Sequence, residues 1–283
     1  MVFIASQKKK IKSHAIEILG KVFDVDITIS VQICSLLKTY LSDENENVKV
    51  TAIKVIGEIF SRYKDYYPSL KSMTSSLLDK MLNSRFISAE IEAIKVIGDL
   101  FSDLPIEQKN TAIVNIASIA HKASDNNILV TAIQFLNKVF NQPNDAISSI
   151  ISIVIDNQIT KLSDTAVRGE FIKLIGNKFN LIPANAKTKA LSFLKQSLEI
   201  SSNKEEIINI VESLGEIYKV ISETTLKKEI LDLMIGEKYL SHTDIDIRVA
   251  VIRVLGNISS QVPDKSTLME VIPLINENIL QAA

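Results

Sequence analysis

A chain of 283 residues carrying 32 Lys and Arg against 33 Asp and Glu has a net charge of −1, so no global field draws it to nucleic acid or anionic membrane. Apolar residues make up 46%, too many for a disordered chain; with 6% aromatic and no tryptophan, packing falls to Leu, Ile, Val and Ala. One cysteine, Cys34, excludes an intramolecular disulfide framework and reads as a buried thiol, which fits a cytoplasmic protein.

The chain begins with a short apolar run, Met1 to Ala5, followed by Lys8, Lys9, Lys10 and Lys12, the reverse of an export signal's charge order. These lysines read as a solvated basic tail. The longest strongly apolar stretch, Ala146 to Ile155, is well short of the ~20 residues that cross a bilayer, so no membrane partner is expected.

From there the chain repeats. Thr51-Ala52-Ile53-Lys54-Val55-Ile56-Gly57-Glu58-Ile59-Phe60 returns as Glu92-Ala93-Ile94-Lys95-Val96-Ile97-Gly98-Asp99-Leu100-Phe101 and as Val249-Ala250-Val251-Ile252-Arg253-Val254-Leu255-Gly256-Asn257-Ile258. Aligned on an anchor position, Gly20, Gly57, Gly98, Asn137, Gly176, Gly215 and Gly256 lie 37, 41, 39, 39, 39 and 41 residues apart. A period near 40 is that of two-helix repeat units, and about seven are present.

Around each anchor the apolar residues recur at three- and four-residue steps, as in Val48, Ala52, Val55, Ile56, Ile59 and Phe60, which predicts an amphipathic helix, the second of each unit. Asn45, Asp125, Asp164, Asn203 and Asp244, twelve residues before their anchors, are placed to cap these helices. Glycine within a helix costs about 1 kcal/mol relative to alanine, so the anchor glycines predict close helix contact, with a wider crossing at Asn137.

First helices are predicted over Ile27–Leu41, Pro68–Leu82, Pro105–His121, Pro143–Ile159, Pro183–Leu198, Ser222–Leu240 and Asp264–Leu280, most of them opened by a proline. Pro273 is expected to kink the last. Residues 1–10 look too short for a full first helix, and the last unit lacks a second. No Gly/Ser-rich or low-complexity linker interrupts the array, so the expected domain is 1–283, either whole or a segment of a longer solenoid.

These residues resemble the HEAT-repeat, armadillo-type family. Asp244-Ile245-Asp246-Ile247-Arg248 followed by Leu255-Gly256 matches its second helix closely; Asp164-Thr165-Ala166-Val167-Arg168 followed by Ile175-Gly176 matches again, and Val48-Lys49 before Ile56-Gly57 is similar. Ile272-Pro273-Leu274 is similar to that family's kinked first helix. The basic residue is missing at Ala89-Glu90, Ile128-Leu129 and Glu206-Ile207, which breaks a continuous Asp-Arg ladder. The resemblance implies an all-α, right-handed superhelix of about seven helix pairs, with second helices on the concave side. It implies a non-enzymatic scaffold holding an extended protein or peptide there.

The residues three before and one after each anchor face away from the apolar stripe. Lys54, Lys95, Lys173 and Arg253 fall three before, and form the candidate partner-binding row, suited to an acidic peptide or, as the alternative, a phosphate backbone. Against that stands an ordinary solvated face with four-residue ion pairs, Lys54 with Glu58 and Lys95 with Asp99. Arg168 and Arg248 read as structural, bonded to Asp side chains between repeats.

His14, His121 and His242 lie on different units, so no metal set follows from spacing and no cofactor is expected. Isolated helical glycines do not make a phosphate loop. No His-Glu dipeptide occurs, and the tryptophans of repeat-fold glycosylases are absent, so no catalytic residues are assigned. Phe23, Phe60, Phe101, Phe140, Phe179 and Tyr218, three after their anchors, read as core; among Tyr63, Tyr66 and Tyr67, one is a candidate partner anchor.

Overall fold

Every apolar repeat segment that the computed structural model describes is helical, and no strand occurs among the described residues, which are 2–23, 27–63, 82, 85–139, 164–262, 269 and 272–273. Within residues 1–139 the helices are α1 (Val2–Val22), α2 (Ile27–Tyr40), α3 (Glu46–Tyr63), α4 (Ile87–Leu100), α5 (Ile106–Lys122) and α6 (Asn126–Val139). Within residues 140–283 they are α7 (Thr165–Lys178), α8 (Ala184–Ile200), α9 (Lys204–Val220), α10 (Thr224–Ile235), α11 (Glu237–Leu240) and α12 (Ile245–Ile258). These two stretches form two compact units, and the division falls in the repeat whose anchor is Asn137.

The caps expected from sequence start the second helices. Asp164 Oδ1 accepts from the amides of Ala166 and Val167 at 2.9 and 3.0 Å. Asp125 does the same for Asn127 and Ile128, and Asn45, Asn203 and Asp244 each take one amide. Each bond satisfies a donor that the first turn of a helix leaves open.

In the first unit α1, α3, α4 and α6 pack side by side in that order, with α2 and α5 laid against α3 and α6. In the second, α7, α9 and α12 do the same, with α8 and α10 on α9 and α11 on α12. The contact rows of these helices are almost wholly apolar: Val48, Ala52, Ile56 and Ile59 on α3, and Ile207, Val211, Leu214 and Ile217 on α9, are all buried. Cys34 is buried, as expected, and burial pushes its thiol up to about 11.

Five anchor glycines sit where the contact row of the next second helix comes closest. A Cβ on Gly20 would lie 2.7 Å from Val55 Cγ1, on Gly57 2.8 Å from Val96 Cγ1, and on Gly98 3.3 Å from Phe135 Cδ2. On Gly176 it would lie 2.6 Å from Ser213 Cβ and on Gly215 2.5 Å from Val254 Cγ1. In each case the intruding residue is two before the next anchor. The glycine is a hole and that residue is its knob.

Three expectations change. The lysine-rich start is not a tail: helix α1 begins at Val2, and Lys12 Nζ binds Asp43 Oδ2 at 2.7 Å, tying α1 to the loop before α3. The segment Ser222–Leu240 is not one helix, because Gly236 takes an extended backbone (φ −55°, ψ 140°) between α10 and α11. The break turns α11 so that Tyr239 is buried and its hydroxyl donates to Leu198 O at 2.9 Å. Phe101 is only half-buried, in the short 3₁₀ turn Phe101–Asp103, with its ring edge-on to Phe135 at 5.6 Å. Phe23, Phe60, Phe179 and Tyr218 are buried as expected, and Tyr63 packs on Phe23 at 5.4 Å between ring centres. Phe140, Tyr66, Tyr67, the helices expected at 68–81, 143–159 and 264–280, and most of the kink around Pro273 lie outside the described residues.

Candidate partner-binding face

The helical period that buries the anchor row turns the residues three before and one after each anchor outward. All of them are exposed: Glu17 and Lys21, Lys54 and Glu58, Lys95 and Asp99, Gln134 and Lys138 in the first unit; Lys173 and Asn177, Glu212 and Glu216, Arg253 and Asn257 in the second. Because neighbouring second helices run side by side, equivalent positions become neighbours across each junction.

Neither expected ion pair, Lys54 with Glu58 or Lys95 with Asp99, forms. Asp99 pairs with Lys138 of the next repeat at 2.8 Å instead of with Lys95, and Glu58 meets Arg62 at 3.9 Å instead of Lys54. Among the described residues Lys54 and Lys95 have no ion pair or hydrogen bond; both are exposed on neighbouring helices α3 and α4. Lys173 lies 3.3 Å from Glu170 on its own helix, and Arg253 lies 3.6 Å from Glu212 of the preceding repeat. The four predicted residues thus fall into two pairs, Lys54 and Lys95 in one unit and Lys173 and Arg253 in the other.

Lys54 borders one shallow groove, which Lys95 does not line, and Lys173 and Arg253 border another. Between α3 and α4 the groove measures about 540 Å³, with Lys54, Glu58, Arg62, Glu92 and Asp99 on its rim and Gly57 and Val96 at its floor. Across α7, α9 and α12 it measures about 360 Å³, with Lys173, Asn209, Glu212, Lys219 and Arg253 around it. The floors are shallow because the glycines that let the helices close up contribute no side chain. The rims carry both signs of charge, so the row is mixed and not uniformly basic.

Arg168 and Arg248 are structural, but their partners differ from the expected Asp. Arg168 Nη2 donates to Glu206 Oε1 of the next repeat at 2.5 Å, with both groups largely buried. Arg248 Nη1 donates to the backbone carbonyls of His242 and Thr243 at 2.6 and 3.3 Å, closing the turn before its own helix. A larger hollow, about 670 Å³, lies away from the row among Leu82, Arg85, Glu90, Lys122, Ser124 and Ile128. Sequence patterning gave no signal for it, since its residues come from two separate stretches, 82–90 and 115–128. Burial there holds the Glu90 carboxyl above the usual range. Among the described residues no three His, Cys, Asp or Glu side chains gather as a metal set, and no described helix is long and apolar enough to cross a membrane.

No family sequence model matches the chain, and no curated protein is similar to it in sequence. Solved structures are similar in fold. A designed armadillo repeat protein in complex with the peptide (KR)4 superposes with a TM-score of 0.58 at 16% identity, over 78% of this chain and 97% of that one. Importin beta gives 0.63 at 14% identity over 95% of this chain, which spans 36% of importin beta's length. Kap121p bound to Ste12p gives 0.55 at 16% identity over 89% of this chain and 27% of its own. With the paired helices, the anchor holes and this likeness together, the chain is an all-α solenoid of the armadillo/HEAT type.

Proposed function

We propose that the protein is a non-enzymatic scaffold that binds an extended segment of another protein along its second-helix face, the face expected to be concave. The observation that carries this reading is the state of Lys54 and Lys95. They are exposed on adjacent helices and have no partner among the described residues, and Lys54 borders the groove between those helices. Two unneutralised cations side by side, above a floor kept shallow by Gly57, fit carboxylates spaced along an extended chain. Lys173 and Arg253 extend the recognition in the second unit; their exposed pairs with Glu170 and Glu212 are each worth ~0–1 kcal/mol and yield readily to a competing carboxylate. The unbroken repeat period supports taking residues 1–283 as a single domain. The peptide-bearing designed armadillo protein and the partner-bound karyopherin support the class of function by fold alone.

The test is binding of labelled, extended acid-rich peptides to the wild type and to the variant Lys54→Glu/Lys95→Glu/Lys173→Glu/Arg253→Glu, read by fluorescence anisotropy. Losing a few contacts of ~0.5 kcal/mol or more each weakens binding at least tenfold, while helicity stays unchanged because all four side chains are exposed. Equal affinity of the two proteins would sink the row, and preference for single-stranded nucleic acid with a steep salt dependence would move the reading to phosphate.

A further inference from the structure

Of the described cations that border the two grooves, Arg62 alone bonds to main-chain carbonyls. It stands five after its anchor, outside the positions three before and one after, so the repeat pattern does not single it out. Its Nη2 donates to Gly20 O at 3.2 Å, one of the carbonyls that the last turn of α1 leaves open, and its Nε to Glu58 O of α3 at 3.4 Å. The guanidinium carbon lies 5.6 Å from the centre of the Tyr63 ring, which itself packs on buried Phe23. Two helices thus fix where this charge sits.

The fixed guanidinium still has donors to give. Its side chain is 45% exposed, it borders the α3–α4 groove, and Nη1 has no acceptor among the described residues. The acids on the same rim leave it open. Glu58 comes only to 3.9 Å and is itself exposed, Asp99 is engaged with Lys138, and Glu92, six before its anchor, lies toward the opposite end of the groove. Lys54 and Lys95, which bond to nothing among the described residues, must be ordered when a ligand arrives. Arg62 is ordered beforehand, so a ligand that meets it loses less to that cost.

We infer that Arg62 is the specificity-determining residue of the α3–α4 groove: it takes one carboxylate of the partner while Gly20 O and Glu58 O hold the rest of its side chain. This rests on the partner-binding reading above and deepens it. Lys54 and Lys95 supply attraction, and Arg62 fixes the place of one acidic side chain in the extended segment. A planar guanidinium fork matches the two oxygens of a carboxylate and has no such match with an amide, so the contact selects Asp or Glu over Asn or Gln.

Anisotropy titrations of the full chain with a labelled alternating Glu-Ser peptide and its Gln-Ser counterpart test it, because a double-mutant cycle separates a contact from a clamp. Wild type is expected to prefer the Glu peptide, and Arg62→Ala to lose about tenfold or more of that preference. Lys54→Ala is expected to lose less. Arg62→Lys keeps the charge without the fork and should restore only part of the preference. An arginine that only ties α1 to α3 would change the affinity for both peptides alike; a preference left intact in Arg62→Ala, or fully restored by Arg62→Lys, overturns the inference. Circular dichroism checks each variant, and if Arg62→Ala loses helicity, Arg62→Lys carries the comparison on the same terms. A wild type that does not distinguish the two peptides would overturn the partner-binding reading itself, whereas discrimination that survives in Arg62→Ala removes Arg62 alone.

Discussion

Arg168 and Glu206 show how a single residue type acquires its role from the neighbouring repeat. Glu206 stands nine before its anchor, a position that is apolar and buried in the other repeats from α3 onward, and its own side chain is nearly buried. A carboxylate there is tolerable only because Arg168, eight before the preceding anchor, reaches it at 2.5 Å. From sequence, Glu206-Ile207 reads as a gap in a basic ladder; in the structure it is the acceptor of the rung above. Arg168→Ala removes the partner and leaves a buried charge, a change that typically costs about 3–5 kcal/mol. The double variant Arg168→Met/Glu206→Leu is expected to recover most of that stability. Urea unfolding followed by circular dichroism checks both, and a near-neutral Arg168→Ala would show that water reaches Glu206.

At the scale of the helix, the same glycine has opposite values at different repeats. Gly176→Ala drives a methyl to 2.6 Å from Ser213 Cβ and 2.7 Å from its Cα, and backbone cannot step aside. Separation of α7 and α9 follows, with a loss in the ~1–3 kcal/mol range of overpacking. Gly98→Ala meets only the Phe135 ring, at 3.3 Å, and is milder; Gly98→Leu falls in the overpacking range. Gly256→Ala meets nothing and gains up to ~1 kcal/mol of helix propensity. Ranking the melting temperatures of these variants is the measurement; a destabilised Gly256→Ala would contradict an open hole. The break at Gly236 belongs to this scale too. The pattern through Ser222–Leu240 is helical throughout, and beyond the extended residue α11 gains the bonds of Tyr239 to Leu198 O and Lys238 to Glu199 O and buries Leu240.

At the scale of the molecule, the packed row α1, α3, α4 and α6 is complete within residues 1–139. That fragment is expected to be helical and to melt cooperatively alone, since each repeat is stabilised by its immediate neighbours. A fragment that is unfolded by circular dichroism would mean that its stability is borrowed from residues beyond 139. The repeat period, the second helices, their Asn and Asp caps and the holes at the glycines were fixed by local sequence, because each follows from helical periodicity or from the missing Cβ within one unit. Which charges pair was decided only in three dimensions. Asp99 with Lys138, Glu212 with Arg253 and Arg168 with Glu206 lie 38 to 41 residues apart and meet because adjacent repeats bring equivalent positions together. That packing leaves Lys54 and Lys95 without partners among the described residues.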